Sequence, residues 1–447
     1  MKIITRNRGI FQVKQLEELM KNHLSKSEME LIQVLAEAAD ELAMSVYLVG
    51  GLVRDLLMGL GSLDVDVVVE GDGIVFAKTM AKKTGAKVRT HEKFYTSTVE
   101  FNNGVKVDIA TARKEYYPQP GALPLIEKSS IKFDLYRRDF SINSLAIKLN
   151  GNNPYSLIDY FKGQRDISNK TIRVLHNLSF IEDPTRAFRA IRFEQRFGFS
   201  IEQQTLVFLK NALKKSLFDR LSGYRIWTEL ELILREAEPV GCFRRMDDLG
   251  LVRCIHPRLE VKPDTLVELK RIPNTLAKFR IIPMAPQPEV WKVYLYGLLF
   301  SNDLDVLESI IERLEFSRRF ADRTKADFSG FNHVSQILRC DNEPDSIELY
   351  EAFLKLSPEG IFWLMVSDRG EELDEYILLF YTRYLPAAKL SMTGNDLLSM
   401  GFLAGPVFQD IFRTLRKARF EGSVKSKEDE ITFVKKNFRH WKKNKWD

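Results

Sequence analysis

The feature that most constrains the fold is the stretch LVGGLVRDLLMGLGSLDVDVVV at residues 48–69, where two glycines, an Arg-Asp pair and two aspartates interrupt an apolar run. Its apolar residues predict a short strand, a helix and a second strand. Gly50 and Gly51 fall where the first strand turns into the helix, and a turn without side chains lets phosphate oxygens approach backbone N–H groups. Arg54, one helical turn further on and next to Asp55, can add a bidentate phosphate contact. We therefore expect these residues to bind a nucleotide.

Asp64 and Asp66 alternate with valines on the second predicted strand, which places both carboxylates on one face of the sheet. Like charges this close repel each other unless a cation lies between them, and carboxylate oxygens suit Mg²⁺. A lone pair of this kind also fits a solvent-facing strand. A phosphate-binding turn followed by an acidic pair, however, is what nucleotidyl transfer requires. We expect Asp64 and Asp66 to be catalytic and to bind Mg²⁺.

A third acid lies on a predicted hairpin. The segments TSTVEF and VKVDIA alternate around Asn103-Gly104, and Asn-Gly is a strong hairpin signal. Asp108 lies on the second strand of this hairpin. It either completes a catalytic carboxylate cluster with the two aspartates or pairs with a base such as Arg113, and the pattern leaves both open.

The segment RRDFSINSLAI, residues 137–147, indicates a ribose site. Asp139 and Asn143 are spaced i, i+4, which predicts that they share one face of a helix, with Arg138 beside them. A carboxylate and an amide can hold ribose hydroxyls. Asp139 can also cap the start of this helix, and the two roles are compatible.

The segment EDPTRAFRAIRFEQRFGF, residues 182–199, predicts a helix whose start is marked by Asp183 and Pro184. Four arginines then lie within about one third of the helix circumference and are expected to bind phosphates or acids: Arg186, Arg189, Arg192 and Arg196. Asp183 and Arg186 together complement the amino group and ring nitrogen that adenine and cytosine share, and that guanine and uracil present in reverse. This pair could accept ATP and CTP and reject GTP and UTP.

Composition narrows the class of protein. A chain of 447 residues predicts about three domains. The region up to about residue 165 reads as a mixed sheet with helices, and beyond about residue 170 only helical patterns are expected. No apolar run is long enough for a membrane span and no export signal is recognised, so we expect a cytoplasmic protein without a membrane partner. Three scattered cysteines make a zinc mechanism an unfavoured alternative.

The C-terminal segment FVKKNFRHWKKNKWD mixes basic and aromatic residues, while the net charge of the whole chain is only +6. Phosphate attraction with base stacking is one interpretation. A basic, solvated terminal helix is the other.

Taken together, the motifs resemble those of the class II tRNA nucleotidyltransferase and bacterial poly(A) polymerase family. The matching segments are LVGGLVRDLLMG, DVDVVV, VDIATAR, RRDFSINSLAI, LIDYFKGQRDI, IRVLHNLSFIEDPTRAFRAIRF, LSGYRIWTELELIL and, near the end, MTGNDLLSMGFLAGPVF. The resemblance implies an α+β fold with a nucleotidyltransferase head followed by helical domains. The expected divisions are a helical lead-in (1–37), the head (38–168), a neck (169–240), a body (241–330) and a tail that binds tRNA (331–447).

The same resemblance implies residue roles. Asp64 and Asp66 would bind catalytic Mg²⁺, with Asp108 as a further catalytic candidate. Arg138, Asp139 and Asn143 would bind the ribose. Asp183 with Arg186 would read the base.

Within that family the chain looks most like A-adding enzymes of a subgroup with phosphoesterase and CBS domains upstream, for which this chain has no room. Residues 114–137 are long enough for the flexible loop associated with A addition. We expect transfer of AMP from ATP to a tRNA ending in CC, with contacts to acceptor stem and elbow and a separate CC-adding enzyme acting first. The alternatives are full CCA addition with CTP and ATP, poly(A) addition, and a tRNA-binding protein without activity.

Overall fold

The protein is described by a computed structural model that covers residues 13–61, 65–339, 343–367 and 370–439. The chain divides into two compact units. The sheet unit comprises the residues up to Glu229 together with Asp248–Cys254, and the helical unit comprises Leu230–Asp247 together with the residues from Ile255 onward. The division into neck, body and tail remains a prediction.

Every strand in the described ranges lies in the sheet unit. The strands are β1 (Ser45–Val49), β2 (Val65–Glu70), β3 (Lys87–His91), β4 (Thr96–Glu100), β5 (Lys106–Thr111), β6 (Arg113–Tyr116), β7 (Leu125–Lys128), β8 (Ala146–Lys148), β9 (Leu157–Ile158), β10 (Thr171–Ile172) and β11 (Ser200–Ile201).

The α-helices of the described ranges occur in both units. They are α1 (Val13–His23), α2 (Lys26–Glu41), α3 (Gly51–Leu57), α4 (Gly73–Thr84), α5 (Ile131–Tyr136), α6 (Gly163–Ser168), α7 (Ser179–Glu182), α8 (Arg186–Phe197), α9 (Gln203–Lys214), α10 (Gly223–Leu234), α11 (Pro239–Asp248), α12 (Val252–Ile255), α13 (Pro263–Leu269), α14 (Ile272–Arg280), α15 (Val290–Phe300), α16 (Leu304–Arg313), α17 (Arg318–Leu338), α18 (Ser346–Phe353), α19 (Pro358–Ser367), α20 (Glu371–Leu379), α21 (Leu385–Ala387), α22 (Gly394–Ser399), α23 (Pro406–Phe420) and α24 (Lys427–Asn437).

The main sheet has seven strands in the order β3-β4-β5-β2-β1-β8-β9. The central pair β2 and β5 is parallel, and the other neighbours in this sheet are antiparallel. The predicted hairpin is β4–β5, with its turn at Asn103-Gly104. This mixed sheet followed by helices confirms the predicted α+β fold.

The two faces of the sheet differ because side chains alternate along each strand. On one face, Val67 and Ile109 are buried, and α4 packs there through Phe76. Helix α4 starts very close to β5: the N–H of Gly73 donates to Thr111 Oγ1 at 2.9 Å, and a Cβ on Gly73 would lie 2.9 Å from the Thr111 nitrogen.

The opposite face, which we call the acidic face, carries Asp66 and Val68 of β2. Part of it is covered by α5, whose Ile131 and Leu135 pack in a cluster that contains Val68. The N–H of Ile131 donates to Glu70 Oε1 at 2.7 Å, which attaches the start of α5 to the end of β2. Residues 137–139, which directly follow α5, therefore lie beside the part of this face that α5 leaves uncovered.

Three local predictions can be compared with the secondary structure. Ser25 and Glu28 form the predicted capping box at the start of α2, which is confirmed. The expectation of only helices beyond residue 170 is wrong at β10 and β11, which form a short parallel pair. Two residues per strand are too few to produce an alternating pattern, so the sequence carries no signal for them. Residues 114–137, expected to include a flexible loop, contain the β6–β7 hairpin and α5.

In the helical unit, the C-terminal helices α22 to α24 surround a small core. Phe438 is 8% exposed in this core and Phe433 packs against it, so these two rings are used for packing. Lys435, Lys436 and Arg439 are exposed. The remaining basic and aromatic residues of this segment, from His440 onward, lie outside the described residues. No helix within the described ranges is both long and apolar enough to cross a membrane.

Candidate active site

Two of the three predicted catalytic aspartates can be placed, and they are neighbours. Asp66 on β2 and Asp108 on β5 are direct partners in the parallel register. Adjacent strands lie roughly 5 Å apart, so the two carboxylates share the acidic face. Asp66 is partly exposed and Asp108 is exposed. Asp64 lies outside the described residues.

A cavity of about 410 Å³ opens beside these acids. Its lining residues come from β1, β2, β4, β5 and the segment after α5: Val49, Asp66, Val67, Val68, Thr96, Ser97, Thr98, Asp108, Ile109, Ala110 and Arg138. Thr98 donates a hydrogen bond of 2.6 Å from Oγ1 to Asp108 Oδ1, which orients this carboxylate. The recorded partners of Arg113 are Glu115 and the Phe94 carbonyl oxygen, so pairing of Arg113 with Asp108 is not what the structure shows.

Gly50 directly follows Val49, a lining residue of this cavity. Its φ of +69° is a conformation that residues with side chains rarely adopt. A Cβ at this position would lie 2.9 Å from Arg138 Nη1 and 3.8 Å from Asp66 Oδ2. The turn between β1 and α3 therefore brings the glycine, the guanidinium and the acid within a few ångströms of one another. Gly51 is the first residue of α3.

The guanidinium of Arg138 is held by Asp134. Its Nη2 donates to Asp134 Oδ2 at 3.1 Å, while its Nε is buried without a hydrogen-bond partner. A cation that faces two carboxylates across a cavity and keeps a buried donor unpaired is suited to bind an anion between them. This geometry supports a phosphate contact at least as well as the predicted ribose contact.

Arg54 has a different environment from the one that the sequence pattern predicts. Its guanidinium is buried, donates to both carboxylate oxygens of Asp55 and donates to Asn143 Oδ1 at 2.6 Å. It also lies over the ring of Phe197, 4.6 Å from the centroid. These contacts fix the amide of Asn143, and the predicted phosphate contact of Arg54 and Asp55 stays a prediction.

Asp139 and Asn143 are adjacent, but the predicted helix that relates them is wrong. Helix α5 ends at Tyr136, the chain is extended at Phe140, and a single 3₁₀ turn spans Ser141–Asn143. Asn143 Nδ2 nevertheless donates to Asp139 Oδ1 at 2.9 Å. Side chains four residues apart can meet across a turn as well as along a helix. The i, i+4 spacing alone does not distinguish these two backbone conformations.

Asp139 is buried and ionised. Burial raises the pKa of Asp139, but the charge of Arg189 and the hydrogen bonds from Asn143 and Arg189 outweigh burial and lower the pKa to about 2. Arg189 donates to Asp139 Oδ2 from Nε at 2.8 Å, and its other end lies 3.6 Å from Glu229. The prediction that arginines of this helix bind acids thus describes Arg189. Arg192 is buried one turn further along α8, with its guanidinium 4.9 Å from the centre of the Phe193 ring.

Asp183 and Arg186 lie at the start of α8, each with other partners. Helix α8 begins at Arg186, so the prediction that Asp183 caps it is wrong by position. Asp183 Oδ1 instead accepts hydrogen bonds from the N–H and hydroxyl of Thr185 and, at 2.8 Å, from Arg225. Arg186 is buried and donates to Ser179 Oγ at 2.7 Å and to the Arg137 carbonyl oxygen at 2.8 Å.

Two residues that the sequence pattern did not single out belong to this arrangement. Thr98 could have been found, because a hairpin centred on Asn103 places it opposite Asp108. Arg225 contacts Asp183 across 42 residues of sequence, and no local pattern predicts such a contact.

The described acidic side chains are partly suited to hold a divalent cation. Within the described ranges, no group of three or more His, Cys, Asp and Glu side chains is arranged to hold a metal ion. Asp66 and Asp108 supply hard oxygen ligands on one face, and Asp64, the other predicted ligand, lies outside the described residues. Two carboxylates directed at one cavity fit Mg²⁺ better than a soft metal.

Comparison with known families matches two regions of the chain. Residues 46–173 match the poly A polymerase head domain. Residues 198–262 match the family described as the probable RNA and SrmB-binding site of polymerase A. The first match contains β1, β2, β5 and the whole cavity.

Two curated relatives are similar over nearly all of this chain. The A-adding tRNA nucleotidyltransferase of Geobacter sulfurreducens is 42% identical over 94% of this chain, but the match covers only 48% of that protein. The A-adding tRNA nucleotidyltransferase of Halalkalibacterium halodurans is 32% identical, with 95% of this chain and 96% of that protein covered. The chain thus spans about half of the first relative and nearly all of the second.

A solved structure has the same overall architecture. The Thermotoga maritima CCA-adding enzyme complexed with tRNA superimposes with a TM-score of 0.75 at 30% identity. The superposition covers 95% of this chain and 98% of that chain.

Proposed function

This chain belongs to the class II tRNA nucleotidyltransferase and bacterial poly(A) polymerase family, and we propose that it transfers AMP from ATP to the 3′ end of a tRNA that already ends in CC. The observation that carries this proposal is the register of Asp66 opposite Asp108, beside the cavity that Gly50 and Arg138 border. Both curated relatives described above are named A-adding enzymes, which favours AMP as the group transferred. The cytoplasm, where tRNA ends are matured, is the proposed location.

The proposed metal ligands are Asp64 and Asp66, with Asp108 as a further carboxylate on the same face. A divalent metal is typical of nucleotidyltransferases of this family, and Mg²⁺ is the ion we propose. Bound there, Mg²⁺ would activate the attacking hydroxyl of the tRNA and neutralise the leaving pyrophosphate. The hydrogen bond from Thr98 to Asp108 supports this assignment, because it fixes the orientation of that carboxylate.

The triphosphate is proposed to lie in the cavity against Arg138, next to the turn at Gly50. The missing side chain at Gly50 leaves room for the Arg138 guanidinium beside this turn, since a Cβ would lie 2.9 Å from Nη1. Arg138 already has one end fixed by Asp134, so little side-chain entropy remains to be lost when it binds a phosphate. Its position balances the charge that develops on the α-phosphate.

The ribose is proposed to be held by Asp139 and Asn143. Arg189 keeps Asp139 ionised, and Arg54 fixes the amide of Asn143 by holding its oxygen. Both polar groups are therefore oriented before the nucleotide binds. This preorganisation is how remote contacts contribute to the positioning of a reacting group.

The base is proposed to be read by Asp183 and Arg186. The hydrogen bonds described for the Asp183 side chain all end on Oδ1, which leaves Oδ2 able to accept from an exocyclic amino group. Arg186 is held by Ser179 and by a backbone carbonyl oxygen, so its remaining N–H groups have a fixed direction. Adenine and cytosine share the pattern that such a pair recognises.

Full CCA addition is the second candidate function. The contacts proposed for Asp183 and Arg186 do not distinguish adenine from cytosine. The solved structure described above is named a CCA-adding enzyme. The helical unit is proposed to hold the tRNA, with the tail at its elbow. A separate CC-adding enzyme is needed only if A addition is the sole activity.

The test uses three tRNA transcripts that end before the first C, after one C and after CC, each incubated with ATP or CTP alone. We expect a single AMP on the transcript that ends in CC and no product with CTP. Incorporation of CMP on the shortest transcript would replace the proposal with full CCA addition, and a long ladder of A would replace it with poly(A) addition. No incorporation in any reaction, with tRNA binding retained, would indicate a tRNA-binding protein without activity.

A further inference from the structure

A buried network of charges connects the β6–β7 hairpin to Arg138. Glu115 on β6 accepts hydrogen bonds at Oε1 from Arg113 and, at 3.0 Å, from Arg137 Nη1. Arg137 in turn donates to Asp134 Oδ1 from Nε and Nη2, at 3.0 and 2.8 Å. Asp134 Oδ2 accepts from Arg138. The chain of contacts runs from the hairpin to the guanidinium that borders the cavity.

The acids of this network are almost completely buried. The side chain of Glu115 is 7% exposed and that of Asp134 is 0% exposed. Burial raises the pKa of Asp134, but the charges of Arg137 and Arg138 and their hydrogen bonds outweigh it, so that the pKa is lowered overall. A buried carboxylate that stays ionised between two guanidinium groups fixes both of them.

The charges in the network do not balance, and the excess is positive. Three arginines, Arg113, Arg137 and Arg138, share two carboxylates. Glu115 offsets part of the charge of Arg113 and Arg137, while Asp134 contacts both Arg137 and Arg138. Burial lowers the pKa of Arg113, and the nearby charge of Arg137 lowers it further. Without the charge of Glu115, two guanidinium groups would repel each other and Arg137 would draw more strongly on Asp134.

Both oxygens of Glu115 are used. Oε1 serves the two arginines, while Oε2 accepts a hydrogen bond of 3.1 Å from the hydroxyl of Tyr117. The saturated environment gives Glu115 a single orientation, and it does not line the cavity. Glu115 can therefore affect a ligand in the cavity only through other residues.

We propose that Glu115 is a positioning residue that acts through Arg137 and Asp134 to hold Arg138 where the phosphates of a nucleoside triphosphate bind. The inference rests on the proposed function only in taking the anion in the cavity to be that triphosphate. It predicts that loss of the Glu115 charge weakens binding of the phosphates and leaves binding of the nucleoside unchanged.

The experiment measures dissociation constants for ATP and adenosine by isothermal titration in EDTA, so that a metal ion does not supply the phosphate contact. For Glu115→Gln, which keeps the shape and removes the charge, we expect roughly tenfold weaker ATP binding, the size of one charge-assisted hydrogen bond. Adenosine has no phosphate, so its binding should change less than about twofold. Glu127→Gln is the matched control, because Glu127 lies on the same hairpin, is exposed and pairs only with Lys114 at the surface.

A double-mutant cycle with Arg138→Ala decides whether the effect passes through Arg138. We expect Glu115→Gln to cause no further loss of ATP affinity once Arg138 is alanine. Additive losses, equal losses for ATP and adenosine, or an Arg138→Ala variant that binds ATP normally would each overturn the inference. If Glu115→Gln does not fold, Tyr117→Phe provides the same test, since it removes only the hydroxyl contact and should give a smaller loss specific to ATP.

These outcomes are independent of AMP transfer. A wild-type protein that binds ATP more tightly than adenosine but adds nothing to tRNA would contradict the proposed function and leave the inference standing. A loss of transfer in Glu115→Gln with unchanged ATP affinity would contradict the inference and leave the proposed function standing.

Discussion

The sheet unit contains two groups of acids in opposite environments. Asp66 and Asp108 lie at a solvent-accessible cavity on the acidic face. Asp134 and Asp139 are buried and have both oxygens engaged by arginines or amide groups. The first pair is accessible to ligands that come from solution. The second pair holds the protein's own cations and amides in place, and Asp139 is proposed to contact the ribose from that fixed position. The difference indicates that a carboxylate's role here follows from its burial more than from its place in a motif.

The largest effect is expected when an accessible acid loses its charge. Asp66→Asn should reduce AMP incorporation by about a thousandfold, since metal ligation contributes several kcal/mol to the barrier, while the free energy of unfolding and tRNA affinity stay nearly unchanged. Incorporation is measured with radiolabelled ATP. Glu100→Gln, an exposed acid at the end of β4, is the control and should behave as wild type. Normal incorporation in Asp66→Asn would show that this acid is not a metal ligand.

The same substitution at a buried acid should act on stability. Asp139→Asn removes the charge that faces Arg189 and leaves that guanidinium with Glu229, 3.6 Å away, as its remaining acidic partner. Breaking a buried pair in this way costs about 3 kcal/mol, so the free energy of unfolding of the sheet unit should fall by that amount. Urea unfolding followed by fluorescence measures it. If Asp139→Asn were as stable as wild type and only inactive, the division into accessible and buried acids would fail.

A pH series sharpens the comparison. Because the pKa of Asp139 is about 2 in the folded chain and an unfolded aspartate titrates near 3.9, the ionised form stabilises the fold above pH 4. That contribution is lost as the pH falls from about 4 to 2. The difference in unfolding free energy between wild type and Asp139→Asn should be constant above pH 4 and shrink toward pH 2. A difference that does not change with pH would mean that Asp139 is not ionised in the fold.

Local patterns were sufficient for the elements and for several pairs of neighbours. The Asn-Gly turn predicted β4 and β5, and Ser25 with Glu28 predicted the start of α2. The parallel pairing of β2 with β5, which brings Asp66 opposite Asp108, joins segments about 40 residues apart and has no local signal. Contacts of this kind depend on tertiary packing, which periodicity does not encode.

The wrong predictions have the same origin. A spacing of four residues placed Asp139 and Asn143 together, but the backbone between them is a 3₁₀ turn. The contact of Arg54 with Asn143, 89 residues further along the chain, also has no short-range signal, while the phosphate contact of Arg54 stays a prediction. Short-range spacing shows which side chains are neighbours, and only the fold shows which of them are already engaged.

The smallest effect is expected at the residue that adjusts an accessible acid. Thr98→Val removes the hydrogen bond of 2.6 Å to Asp108 and keeps the shape of the side chain. A single hydrogen bond contributes about 1 kcal/mol, so kcat for AMP transfer should fall roughly threefold to tenfold, with little change in stability because both residues are near solvent. Thr96→Val, on the same strand face and also lining the cavity, is the matched control. If Thr98→Val and Asp108→Asn together lose no more than Asp108→Asn alone, the threonine acts only through the aspartate. Equal losses at Thr96 and Thr98 would instead indicate that the polarity of the cavity wall, and not the orientation of Asp108, sets the rate.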